Sequence, residues 1–229
     1  DPRPRPARPR PGRRGSVVRS SAAHRTVVVD PPWPYPGGFN GFGSRKKLPY
    51  RSMSVTCISK LPIAESLARE GYVFLWTTNK YLGDAFKILA GWGFSYRQTL
   101  TWCKPERGGL GGMFGTNVEF CLVAQNIRPG TNAHGSRTNR ERIPTSWFEW
   151  KVRGHSEKPD EFYALVERVS PGPYLDVFAR RARPGWTSIG DAIDGSDIVE
   201  SLARSATQPA RSDRGSMRVG QGALFGVAS

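Results

Sequence analysis

Val27, Val28 and Val29 run directly into Asp30, and Asp30 is followed by Pro31, Pro32 and Trp33. Three successive β-branched residues suit a strand covered on both faces, as in a parallel sheet. Neither proline can donate a backbone hydrogen bond, so ladder and helix both stop there. The chain must present the Asp30 carboxylate and the carbonyls after it at a strand end, and such edges are where open α/β sheets bind ligands. A strand closed by a plain proline-rich turn would show the same pattern, so the rest of the chain has to decide.

The first strand is set at roughly 25–30. Pro62 reads as the first-turn residue of a short helix ending at Gly71, and 72–78 as a second buried strand. Residues 80–90 read as a helix with Leu82, Phe86 and Leu89 on one face, closed by Gly91. Strands follow at 94–103 and 118–125, the latter carrying Glu119. A helix over 159–170 places Phe162, Leu165, Val166 and Val169 at helical spacing. Pro171-Gly172-Pro173 breaks it, and strands at 174–178 and 186–189 close the series. Strands alternating with helices predict an α/β fold with a mostly parallel sheet.

A chain of 229 residues fits one domain with tails. The folded domain is set at 25–195. Residues 1–24 alternate proline and arginine and are expected to be disordered or polyproline-like. Residues 196–229 read as a tail with one short helix near 196–204. No apolar run reaches the roughly 18 residues a membrane span needs, and no apolar signal core stands at the N-terminus. Cys57, Cys103 and Cys121 lack CxxC spacing, so neither a disulfide framework nor a zinc site is expected, and no metal.

The formal net charge is +15: +6 in the first twenty residues, with seven arginines against Asp1, and +9 in the rest. An excess of this size favours a polyanionic partner, most simply nucleic acid, over a basic background composition without a partner. The segment from Pro31 to Lys60 interleaves aromatics with Arg45, Lys46, Lys47 and Arg51, a mixture suited to gripping a nucleobase. A basic glycine-rich loop follows Cys103. It is no dinucleotide fingerprint, because Phe114 breaks the G-x-G-x-x-G spacing and no suitable helix follows. It reads as a mobile substrate loop.

Five ordered blocks carry a resemblance: Asp30-Pro31-Pro32-Trp33; Leu48-Pro49-Tyr50-Arg51-Ser52-Met53-Ser54; Phe74-Leu75-Trp76-Thr77-Thr78; His155-Ser156-Glu157-Lys158-Pro159-Asp160-Glu161; and Val177-Phe178-Ala179-Arg180 running on to Trp186-Thr187-Ser188-Ile189-Gly190-Asp191. Over roughly 25–195 the chain resembles the MT-A70 family of adenine-N6 methyltransferases, which use S-adenosylmethionine, and within it the compact bacterial and phage type. The resemblance implies a Rossmann-like methyltransferase fold with helices on both faces. It also implies a permuted motif order, with the catalytic motif ahead of the cofactor-binding strand.

An exocyclic adenine amine is a poor nucleophile and must be oriented. The resemblance gives that task to Asp30, Pro31, Pro32 and Trp33, with the Asp30 carboxylate and the Pro31 carbonyl each able to accept one amine hydrogen. Trp33, Tyr35 and Tyr50 offer ring faces to a target base, each worth about 1–3 kcal/mol. For the cofactor it implies Asp30, Lys158 on the methionine carboxylate, Phe178 and Arg180 at adenine and ribose, and Arg181, Gly190 and Asp191 beside them. Ala192 stands where the eukaryotic messenger-RNA enzyme has a glutamine and cannot replace that contact. Lys46, Glu119 and His155 are assigned to the substrate side.

The implied activity is methyl transfer from S-adenosylmethionine to adenine N6 in nucleic acid, DNA favoured over RNA. A catalytically inactive nucleic-acid-binding partner subunit is the alternative, set against the presence of both Asp30 and Trp33. Family members often pair, which implies a homodimer or heterodimer. The expected location is the cytoplasm of a bacterial or phage-infected cell, at the nucleoid.

Overall fold

The computed structural model describes residues 24–35, 52–105, 113–126, 142–152 and 157–207, with Arg69 described in its backbone alone. Its strands are β1 (His24–Val29), β2 (Leu67–Thr77), β3 (Ser95–Cys103), β4 (Val118–Gln125), β5 (Trp147–Phe148), β6 (Tyr174–Val177) and β7 (Trp186–Ile189). Its helices are α1 (Val55–Ser59), α2 (Leu82–Gly91), α3 (Asp160–Val169), α4 (Asp191–Asp194) and α5 (Ile198–Thr207). No helix among the described residues is long and apolar enough to cross a membrane.

The strands form one sheet in the order β5-β3-β4-β2-β1-β6-β7. β1 pairs in parallel with both β2 and β6, β6 with β7, and β3 with β5, while β4 runs against both of its neighbours. The sheet is therefore mostly parallel. Its chain order departs in opposite directions on the two sides of β1. Such a switch point opens a crevice at the carboxyl ends of the strands, and Asp30 stands there.

The alternation of β1 explains how both faces are covered. Val27 and Val29 point into a core with Ile58 of α1, Ala85, Ile88 and Leu89 of α2, and Ile198 and Leu202 of α5. Val28 points the other way, into a cluster with Phe74, Trp76, Trp102 and Cys121 of the sheet and Phe162, Tyr163 and Val166 of α3. The Rossmann-like fold with helices on both faces is thus present. The helix near 196–204 is α5, and its inner face belongs to the first core.

Two sequence expectations are corrected. No helix spans 62–71: a single 3-10 turn covers Ala64–Ser66, and β2 begins at Leu67. Leu67 is 2 % exposed and pairs with His24, and the Asn126 side chain ties the strand at both Gly71 N–H (2.7 Å) and Ala68 C=O (2.9 Å). Burial and ladder override the proline start signal. In α2, Leu89 is buried and Leu82 packs against the same core as expected, but Ala85 and Ile88 complete the inner stripe, whereas Phe86 is 38 % exposed and meets Tyr96 edge-on at 5.0 Å.

Candidate active site

Asp30 is the first residue past β1, and its backbone N–H still donates to the Val177 carbonyl at 3.3 Å. Alternation sends its side chain to the α3 face. There the Lys158 ammonium lies 2.7 Å from Asp30 Oδ2 and 3.4 Å from Glu119 Oε2. Lys158 enters from the segment leading into α3, and Glu119 from β4, two strands away. The ammonium also lies 5.1 Å from the centre of the Trp76 ring. Glu119 is ion-paired in turn with Lys104, which lies 4.1 Å over the Trp102 ring.

Charge therefore alternates from Asp30 through Lys158 and Glu119 to Lys104. Burial alone would discharge Lys158, but Asp30 and Glu119 outweigh it and hold the lysine above its ordinary pKa. Burial would likewise raise Glu119, yet Lys158 and Lys104 bring it below the usual carboxylate range. Both groups stay ionised at neutral pH.

β6 ends at Val177 because Phe178 takes a φ of +67°. That left-handed conformation is disfavoured for an aromatic residue and marks a place where packing overrides local preference. Phe178 lines a cleft of about 310 Å³, open solvent included, together with Asp30, Lys158, Arg180, Arg181 and Arg183. Asp176 and Tyr163 form part of the wall. Asp176 is 3 % exposed, and its carboxyl is pushed up to about 7. Burial is the main cause and the Asp30 charge adds to it, against the hydrogen bond from the Tyr163 hydroxyl and the charges of Arg183 and Lys158.

At the rim, Asp160 accepts from Arg183 Nη1 at 2.7 Å and from Arg181, while Arg181 Nε reaches Glu157 at 3.0 Å. The two guanidiniums hold the Asp160 carboxyl at about 2 through these hydrogen bonds. The Arg183 guanidinium carbon also lies 3.6 Å from the centre of the Tyr163 ring.

The structure brings Asp30, Lys158, Phe178, Arg180 and Arg181 together around the cleft. Gly190 and Asp191 are not among its lining residues. Gly190 is buried, and a Cβ there would stand 2.8 Å from the Ala179 carbonyl oxygen and 3.1 Å from the Phe178 carbonyl carbon. It is needed for close backbone approach behind the cleft, while Asp191 is exposed at the start of α4. Trp33 is 5 % exposed, its ring stacked on Tyr81 and its indole N–H donated to the Trp76 carbonyl at 3.1 Å. The expectation of an open ring face for a base is corrected: packing consumes it. Glu119 belongs to the ion-pair chain rather than to an open substrate surface.

The Tyr35 hydroxyl pairs with Thr78. The Pro31 carbonyl accepts the Trp33 N–H at 2.9 Å, which leaves one of its two lone pairs for an amine. The Pro32 carbonyl accepts from Met53 N–H at 2.8 Å. Lys46, Tyr50 and His155 lie outside the described residues.

Sequence reasoning missed Asp176, Tyr163, Arg183, Lys104 and Tyr81. Asp176 had a signal, a lone carboxylate inside the apolar run Leu175–Val177. Lys104 had one only through the antiparallel β3–β4 pairing, which brings the end of β3 beside Glu119.

A switch-point cleft with a carboxylate just past the first strand and an aromatic just past its neighbour is consistent with a Rossmann-like methyltransferase fold. The MT-A70 family model matches residues 24–192, and the chain belongs to that family. It is 29 % identical over 189 residues to an N(6)-adenosine-methyltransferase MT-A70-like protein of Arabidopsis thaliana, covering 78 % of this chain and 25 % of that protein. It is 27 % identical over 184 residues to the human N(6)-adenosine-methyltransferase catalytic subunit METTL3, covering 76 % of this chain and 29 % of that one (Homo sapiens). An N6-methyladenosine RNA methyltransferase MTA1 of Pyricularia oryzae is 27 % identical over 204 residues, covering 77 % of this chain and 49 % of that protein. The chain spans about a quarter to a half of the length of these relatives.

Proposed function

We propose that this chain transfers a methyl group from S-adenosylmethionine to the N6 amine of an adenine in nucleic acid. The observation that carries the reading is the Asp30 carboxylate, fixed by Lys158 at 2.7 Å at the switch point and opening on the cleft. A carboxylate and a proline carbonyl on consecutive residues are two acceptors, and an exocyclic amine has two hydrogens. Holding both orients the nitrogen lone pair away from the ring, and orientation is a large part of what such a site can supply.

The cleft suits the cofactor. It needs a cation for a carboxylate, acceptors for ribose hydroxyls and a ring face for a purine. Lys158 and the rim arginines, Asp176 with Glu157, and Phe178 meet those needs in turn. The buried Nε of Arg183 also lacks an acceptor among the described residues, a donor that a polar ligand would satisfy. Bound there, S-adenosylmethionine supplies an electrophilic methyl on its sulfonium. Lys158 keeps one N–H beyond the two aimed at Asp30 and Glu119, and that donor is the one assigned to the cofactor carboxylate.

The relatives carry names of adenosine and RNA methyltransferases, and on that ground RNA is the polymer proposed here. Labelled methyl transfer to matched single-stranded RNA, single-stranded DNA and duplex DNA tests both parts. Label on RNA above both DNA forms supports the full reading, label on DNA first reverses the polymer, and label on none removes the activity.

A further inference from the structure

We propose that Tyr81 is a positioning residue that sets the Asp30–Tyr35 loop through its Trp33-Pro34-Tyr35 half, a role that rests on the methyl-transfer reading above. The loop has little internal support. Pro31, Pro32 and Pro34 contribute no N–H, and its own hydrogen bonds are Trp33 N–H to Pro31 C=O at 2.9 Å and Tyr35 N–H to Trp33 C=O at 3.0 Å. Each spans only two residues, a weak turn that does not fix direction alone.

Stiffness has to come from outside, and Tyr81 touches three consecutive loop residues. Its ring stacks on Trp33 with centroids 5.0 Å apart and planes 11° apart. Its hydroxyl donates to the Pro34 carbonyl. Its ring meets Tyr35 edge-on at 5.3 Å and 78°. Tyr81 is itself 6 % exposed and sits where the 3-10 turn Asn79–Tyr81 feeds α2. That turn follows directly on β2, whose Leu75 pairs with Val29. The residue thus couples the catalytic loop to the end of the neighbouring strand without reaching the reacting atoms. Other anchors, among them the Trp76 carbonyl at Trp33, the Thr78 hydroxyl and Lys80 ammonium at Tyr35, Met53 N–H at Pro32, and Lys158 with the Val177 carbonyl at Asp30, each touch a single loop residue.

The test compares wild type, Tyr81→Phe and Tyr81→Leu as full chains, with two readouts. In steady-state methyl transfer to an adenine-containing RNA, Tyr81→Leu should lose about 10–100-fold in kcat, with KM for S-adenosylmethionine within about twofold of wild type. Tyr81→Phe, which keeps the ring and loses the hydroxyl, should fall between them. In hydrogen exchange without any ligand, the amides of Trp33 and Tyr35 should exchange at least about tenfold faster in Tyr81→Leu while β1 keeps its protection. Unchanged exchange at those two amides overturns the proposal whether or not the wild type proves active. So does an unchanged kcat per folded molecule, or a loss confined to KM. If Tyr81→Leu does not fold, Tyr81→Phe decides through the same two readouts, and wild-type values in both overturn it. A wild type inactive on every polymer counts against the methyltransferase reading, and the exchange arm still decides the role of Tyr81.

Discussion

Lys158 and Asp30 illustrate how one contact serves both structure and chemistry. A buried ammonium between two carboxylates is tolerable only while both remain, because the desolvation cost of each ion is offset by its partners. Lys158→Met should leave Asp30 without its buried counter-ion and Glu119 with Lys104 alone, lower stability by about 3–5 kcal/mol in urea titrations and weaken cofactor binding. Asp176 makes a second prediction at this scale. Its carboxyl titrates near 7 in the folded chain against 3.8 ordinarily, so between those values the folded state binds more protons than the unfolded. The Asp176 contribution to stability is therefore greatest at the acid end of that window and is lost as pH rises through about 7, while buried His24, held below 6.5, works in the opposite direction. The facing groups are Asp30 of the loop after β1, Tyr163 of α3, Lys158 and Arg183. In thermal melts across the window, the stability of wild type relative to Asp176→Asn should decline as pH rises through about 7, because the His24 contribution is common to both.

Among the elements, legibility tracked how far the local pattern matched the tertiary demand. β4 and β7 lie at the expected bounds because the apolar run of β4, the apolar ends of β7 and their polar or glycine flanks agree with burial. β6 stops one residue short of the expected 178, since the left-handed turn at Phe178 is dictated by packing behind it. Nothing in the identity of Phe178 announces that turn. Gly190 does carry the trace of it, because its missing Cβ makes room for the backbone of Phe178 and Ala179. Gly190→Ala should cost about 1–3 kcal/mol by overpacking and disturb cofactor affinity through Phe178, checked by denaturation and calorimetry. The region 62–71 was illegible for a different reason: a proline and a glycine punctuate it as a helix, while its burial beside His24 makes it strand. In the site, Asp30 and Lys158 could be read from their motifs, but Tyr81 and Lys104 act through partners that only the sheet order brings near.

For the whole molecule, the strand order around β1 joins two sequence regions about 150 residues apart, Asp30 with its prolines and the Phe178–Arg183 rim. The aspartate motif that began as a strand end is one wall of a shared cleft. The charge excess of +15 acts at this scale as well. Affinity for single-stranded nucleic acid should fall log-linearly with salt, with a slope of roughly 0.7 per phosphate contact. Removing residues 1–23, which hold seven arginines, should reduce that slope while leaving cofactor affinity unchanged. The most direct measurement is nucleoside mass spectrometry of adenine-containing RNA and DNA after incubation with S-adenosylmethionine and either wild type or Asp30→Asn. N6-methyladenine should form with wild type and drop by about 100-fold or more in Asp30→Asn. Its absence from every polymer, or equal amounts from the two proteins, would contradict the account.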